Sequence, residues 1–166
     1  IKLDDDLTGT ISVSDATLTS SSTAFYTTSG KTLSGSITLN NVAATATATK
    51  YGALFTGMSS ATVTIYGGSY SGVGDGIHFE TAIDAGTTVK IGGASLTVAS
   101  SAASALTFAA VMAGTVKVDG GTFTAPTASE SAIYVTDDLT GSMSVSHATL
   151  TSSSNAFHTT TGKTIS

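Results

Sequence analysis

The chain has no cysteine and no arginine, and only 10% of its residues are charged. Without cysteine, neither disulfides nor thiolate metal sites are available. Charge is well below the roughly 25% of an ordinary domain, and polarity carried by Ser and Thr without charge can belong to a disordered chain. Here, however, 40% of residues are hydrophobic and they recur at regular spacing, which argues for a packed fold. The net charge of −5 offers no basic footprint, so nucleic acid is not an expected partner. The most apolar stretch, residues 102–113, is too short and too rich in Ala and Ser to span a bilayer, so no membrane insertion is expected. No charged-then-apolar leader follows Ile1 and no lipidation motif is visible, as expected of a mature or excised piece.

What the chain does have is small uncharged residues and repetition. Ser and Thr supply 57 of 166 residues and Gly another 18, a composition that suits a bacterial exported protein. The heptapeptide ATLTSSS occurs at residues 16–22 and again at 148–154. Laying residues 1–34 over 133–166, at a constant offset of 132, gives 24 identities in 34 positions without a gap. A long gapless match means that the spacing itself is under structural control.

The offset divides further. A Thr/Ser–apolar–x–apolar pattern begins at Thr10, Ser36, Thr62, Thr88, Thr115 and Ser142, at intervals of 26, 26, 26, 27 and 27. Eight positions after each start stands a further side chain: Leu18, Ala44, Tyr70, Leu96, Phe123 and Leu150. A second short segment follows in each unit, reading TAFYT, GALFT, GIHFE, ALTFA, AIYVT and NAFHT, and Gly commonly precedes the next start. Alternation of period 2 over three to five residues, punctuated by Gly, describes short strands joined by turns. No helical periodicity is sustained, which excludes helical solenoids, and the period is too short for propeller blades.

Six units of 26–27 residues with about three short strands each predict one domain over residues 1–166: an all-β, single-stranded parallel β-helix, or β-solenoid. At about 4.8 Å per turn it is a rod roughly 29 Å long. The expected interior includes Ile11, Val13, Leu18 and Phe25 in the first turn and Val116, Val118, Phe123, Ile133 and Val135 in the fifth. Turns one and six are near copies, whereas adjacent turns share only a pattern. Duplication of a five-turn block of 132 residues explains this, and the piece is expected to come from a longer array. Unprotected strand edges at both ends suggest end-to-end self-association.

The turn signature TVKVDGGTFTA…SAIYV and its sister TVTIYGGSYSG…DGIHF resemble the passenger domains of pertactin-like bacterial autotransporters. The resemblance covers essentially the whole chain and implies a right-handed β-helix. It further implies an extracellular location on the bacterial surface and adhesion to a receptor or glycan of a host or neighbouring cell. The chain carries no RGD, and neither the family's signal peptide nor its membrane barrel is present in it.

Three outward features could carry function. The first is a Thr/Ser ladder flanking the eighth position: Thr17 and Thr19, Ala43 and Thr45, Ser69 and Ser71, Ser95 and Thr97, Thr122 and Thr124, Thr149 and Thr151. Thr-x-Thr arrays on flat solenoids resemble ice-binding faces, while β-propensity alone also favours Thr on exposed strands. The second is a stripe on the second segment: Tyr26, Phe55, His78, Thr107, Tyr134 and His158. Exposed rings there can stack on sugars or anchor a protein. The third is the cluster Asp75, His78, Glu80 and Asp84, which offers acid/base or metal-ligating groups. Neighbouring turns add no carboxylate to it, and a solvated patch is the plainer account. The acidic corner Asp4–Asp5–Asp6, echoed at Asp137–Asp138, lacks the spacing of a calcium loop.

These features predict a non-enzymatic surface adhesin or adhesin stalk without metal or cofactor, binding through many weak contacts along its ladders. A polysaccharide-active β-helix enzyme and an ice-binding solenoid are the alternatives.

Overall fold

The computed structural model describes residues 1–127 and 130–160. The described residues contain no helix; their seventeen strands pair in parallel along three columns. The first column stacks β2 (Thr10–Ser14), the leading half of β5 (Ser36–Ala46), the leading half of β7 (Thr62–Gly72), β9 (Thr88–Gly92), β12 (Thr115–Asp119) and β15 (Ser142–Ser146). The second stacks β3 (Thr17–Ser20), the trailing halves of β5 and β7, β10 (Thr97–Ser100), β13 (Thr122–Ala125) and β16 (Thr149–Ser152). The third runs from β1 (Lys2–Leu3) through β4 (Phe25–Thr27), β6 (Ala53–Phe55), β8 (Ile77–Phe79), β11 (Leu106–Phe108) and β14 (Ser131–Val135) to β17 (Asn155–Thr159). The chain is a β-solenoid of about six turns; the expected three strands appear in turns one, four, five and six, while in turns two and three the first two run on as one strand, β5 and β7.

The six pattern starts lie in one register: Thr10, Ser36, Thr62, Thr88, Thr115 and Ser142 are successive partners. Because side chains alternate across a strand, this register sends the next residue of every turn inward. Ile37, Val63, Val89 and Val116 stack there at 0–1% exposure. The interior residues expected in turn five are all buried, whereas Ile11, Val13 and Leu18 are half-exposed because turn one has a neighbour on one side only. One turn cannot enclose its own apolar face, and stacking encloses it.

The third column carries an aromatic spine. Phe55 and Phe79 stack with ring centroids 5.0 Å apart, Phe79 and Phe108 repeat that spacing, and Phe25 tilts against Phe55 at 5.7 Å. Each such pair adds about 0.5–1.5 kcal/mol beyond burial. Phe55 was expected in the outward stripe; it is instead fully buried in this spine. Tyr26 pairs with Leu54, so Leu54 occupies the outward position in turn two. The two residues are adjacent, and the larger gain from enclosing the ring fixes the phase.

A second correction concerns turn four. Val98, not Leu96, is the register partner of Tyr70 and Phe123. The corner between β9 and β10 holds four residues, 93–96, where that between β12 and β13 holds two. A turn closed by Leu96 N–H donating to the Gly93 carbonyl (3.0 Å) absorbs the extra pair. Leu96 still points inward at 1% exposure, but the strand after it is displaced by two residues.

The corner between the first two columns depends on left-handed backbone. Asp15, Asn41, Gly67, Gly93, Gly120 and His147 occupy it, joined by Gly68 in turn three and Gly121 in turn five, with φ from 50° to 100°. That region is costly for most side chains and tolerated best by Gly, with Asn, Asp and His enriched among the remainder. Asp15 and His147 correspond in the two copies of the repeat, so the substitution preserves backbone conformation.

Tyr70 is fully buried, and its hydroxyl finds no hydrogen-bond partner among the described residues. Burial pushes the phenol well above its ordinary value. Tyr70→Phe should therefore raise stability by about 1 kcal/mol, since an unpaired buried hydroxyl costs desolvation. Phe79→Ala, which opens the spine, should lower it by about 3–5 kcal/mol. Urea unfolding of both variants measures the pair of effects.

Candidate functional site

The outward line of the third column reads Tyr26, Leu54, His78, Thr107, Tyr134, His158. It is not a continuous aromatic face. Leu54 and Thr107 interrupt it, and Thr107 is 5% exposed. The remaining rings are engaged. Tyr134 and His158 stack at 5.0 Å, the Lys2 ammonium lies 5.7 Å from the Tyr26 ring centroid, and His78 stacks on Tyr51 at 4.5 Å. The His78 Nδ1–H donates to Asp75 Oδ2, and Asp75 is itself buried. Burial, followed by the nearby Asp75 and Glu80 charges, raises the Tyr51 phenol above its ordinary value.

The turn-three cluster therefore divides. Asp75 and His78 form a half-buried clasp, while Glu80 and Asp84 face solvent. Leu54 and Thr107 flank His78 on the adjacent turns. Among the described residues no group of three or more His, Asp or Glu side chains could hold a metal ion. The acidic corner is also engaged: Lys2 pairs with Asp4 at 2.6 Å and Lys31 with Asp5 at 3.3 Å, while Asp6 accepts from Thr32 N–H at 2.7 Å.

The Thr/Ser ladder exists with altered membership. Its two lines are Thr17, Ala43, Ser69, Thr97, Thr122, Thr149 and Thr19, Thr45, Ser71, Ala99, Thr124, Thr151. Ser95, expected in it, lies in the longer turn-four corner, and the two-residue displacement moves Thr97 into the first line and Ala99 into the second. The Ser71 hydroxyl donates to Thr45 Oγ1 at 3.2 Å, a cross-strand bond of the kind that uncharged ladders permit. Ala43 and Ala99 interrupt the methyl-and-hydroxyl array.

A further concave surface lies elsewhere, on the first column and its corner. Tyr66 ends the leading half of β7 and is 60% exposed, the most exposed large hydrophobic side chain among the described residues. Its register partner is Gly92, and Asp119 follows in turn five. Gly92 and Gly93 form the floor. A Cβ on Gly92 would fall 2.0 Å from the Asp119 carbonyl oxygen, and one on Gly93 3.2 Å from a Tyr66 ring carbon. The close backbone approach excludes a side chain at Gly92, and an open groove of about 200 Å³ is bordered by Tyr66, Lys90 and Lys117. It continues into a hollow of about 490 Å³ bordered by Asp119, Thr122, His147 and Thr149.

Charge in the groove is organised around Asp119. Its Oδ1 accepts from His147 Nδ1–H at 2.8 Å and from the Ser146 hydroxyl at 2.9 Å, and its Oδ2 lies 3.2 Å from Lys117 Nζ. These partners, His147 first, hold the carboxyl well below its ordinary 3.8. Lys90 lies beside Lys117 in register and forms no ion pair with a described residue. Two like charges opposite one another are unfavourable in a sheet. The arrangement thus supplies an uncompensated ammonium, an ordered carboxylate, an imidazole and an exposed phenol ring around a bare backbone floor. Reading the sequence for the aromatic stripe missed this site. Its trace in the sequence is Tyr at the outward end of a strand before Gly–Gly, followed one turn later by Gly–Gly at the matching place.

No protein-family model, curated protein or solved structure matches this chain.

The Asp119 carboxyl should titrate below 3.8 by carbon-detected NMR, and His147→Ala and Lys117→Ala should each move its midpoint upward. By sign, a depressed carboxyl keeps its bonds above its unfolded value and loses them as pH falls through its folded one. Asp119 is 44% exposed, so global stability should change little over that range while the groove loses its order.

Proposed function

We propose that the chain is a rod segment of a bacterial surface adhesin that binds acidic glycans in the groove beside Tyr66. The observation that carries the reading is the exposed Tyr66 ring standing over the Gly92–Gly93 floor next to the unpaired Lys90 ammonium. A sugar ring presents a C–H face that stacks on an aromatic plane, and its hydroxyls suit the Asp119 carboxylate as acceptor. An acidic substituent on that sugar would offset the Lys90 and Lys117 charges.

Resemblance to pertactin-like passengers supports the same reading. The Tyr66–Gly67–Gly68 and Asp119–Gly120–Gly121 stretches belong to the two motifs that carry the resemblance, and both border the groove. The groove is shallow and open, which suits weak contacts summed over many copies. On this reading the clasp at Asp75 and His78 is structural, and the chain needs no cofactor.

A glycan array probed with the 166-residue chain displayed on multivalent beads is the test. Binding should favour carboxylated or sulfated glycans over neutral ones, and should weaken about tenfold or more with Tyr66→Ala. Each factor of ten corresponds to about 1.4 kcal/mol. Lys90→Ser should remove the preference for acidic sugars, whereas Tyr134→Ser, on the third column, should leave binding unchanged. Glycan binding insensitive to Tyr66 and Lys90, or none at all, defeats the reading.

A further inference from the structure

In the corner between the first two columns, three glycines follow one another in register, Gly67, Gly93 and Gly120, with Asn41 before them and His147 after. Gly67 is covered, since a Cβ there would fall 2.8 Å from the Ser95 hydroxyl oxygen. Gly93 and Gly120 line the hollow of about 490 Å³ between Tyr66 of turn three and His147 of turn six. Where Tyr66, Gly93 and Asp119 border it, this hollow opens into the smaller groove of about 200 Å³ beside Lys90 and Lys117. Sites for small molecules typically offer about 300–1,000 Å³. The lysine side alone falls short of that range, so a ligand gripped there gains further contact by extending into the hollow.

We propose that this hollow is a second subsite, resting on the acidic-glycan reading of the groove, and that it takes the neutral sugar linked to the acidic one beside Lys90. The two compartments differ in chemistry. On the groove side stand two ammonium groups, Lys90 and Lys117, in register on adjacent strands. No described lysine borders the hollow, whose polar side chains include the exposed Thr122 and Thr149 and His147. The His147 Nδ1–H is spent on Asp119, so Nε2 remains as an acceptor. A sugar hydroxyl both donates and accepts, as the two threonines do, and it can donate to that imidazole nitrogen. A second acidic sugar would instead face the Asp119 carboxylate, whose Lys117 partner lies on the groove side. Like charges so placed repel, and the hollow selects a neutral sugar by exclusion as well as by fit.

The fold also sets which way such a ligand lies. Lys117 and Thr122 are five residues apart along one turn, a reach of at most about 17 Å. The path from the lysines past Asp119 to the threonines that begin β13 and β16 follows the strands, across the rod axis. A glycan in this site therefore crosses the rod, and its successive sugars meet different surfaces. The Tyr66 ring, which borders both compartments, supplies a stacking face at their junction. Because the two ends of the path are unlike, the two orders of linkage between an acidic and a neutral sugar are not equivalent.

The test is NMR titration of the 166-residue chain with methyl glucuronide and with the two glucuronate–glucose disaccharides of opposite linkage order. One disaccharide should bind about tenfold more tightly than methyl glucuronide, the yield of one or two net hydrogen bonds. Its amide shifts should reach Thr122 and Thr149, whereas those from methyl glucuronide should stay near Lys90 and Gly92. Thr122→Val/Thr149→Val removes both hydroxyls and keeps the β-branched shape suited to exposed strands. In that variant, checked for an unchanged fold by its amide spectrum, the disaccharide should lose its advantage. Glucuronide binding with no gain for either disaccharide overturns the second subsite and leaves the acidic-glycan reading standing. A gain that survives Thr122→Val/Thr149→Val, or one that is equal for both linkage orders, overturns it as well. Absence of binding by every one of these sugars defeats both.

Discussion

In-register parallel pairing between successive turns is the constraint on which the rest of this structure depends. Each strand residue of an inner turn lies above and below its counterparts at about one strand spacing, so its position is defined by a column rather than by sequence neighbours. A column must then be chemically self-compatible. Aliphatic residues tolerate their own kind, as Ile37, Val63, Val89 and Val116 show, and phenyl rings stack at 5.0 Å. Like charges do not, which gives a physical reason for a chain so poor in charge and so rich in Ser and Thr. The paired Lys90 and Lys117 depart from that rule, and they do so beside the groove.

The same constraint explains where the chain can vary. Corners lie outside the ladder, so turn four accommodates two extra residues between β9 and β10 without disturbing the column before them. Left-handed backbone recurs at that corner in all six turns, and glycine there does more than turn the chain. Over Gly92 and Gly93 it removes side chains from a surface where neighbouring columns keep them. The groove is thus a gap in a column, bordered by the large side chains that remain. Tyr66 and Asp119 stand on either side of the missing one.

The fold was legible in the residues themselves. Six pattern starts at intervals of 26 or 27 fall in one register, and the offset of 132 marks two turns with the same structure. Phase was less legible where two large apolar residues are adjacent. Leu54 and Phe55 both satisfy an alternating pattern, and only the rings of Phe25 and Phe79 on the adjoining turns select Phe55 for the interior. Ser95 failed for a different reason: equal spacing from the start of each unit assumes equal corners, and the corner of turn four is longer.

By itself the sequence determined the period, the strand content, the number of turns and most of the interior, because those follow from local alternation and from spacing along one chain. Only the tertiary structure decided which side chains share a surface. Tyr66, Gly92 and Asp119 are 26 and 27 residues apart and share no local motif. They become neighbours because parallel stacking converts a separation of one turn into a distance of about one strand. Their separation from the Tyr134–His158 stack has the same origin. The third column forms a sheet of its own, separate from the one that the first two columns share.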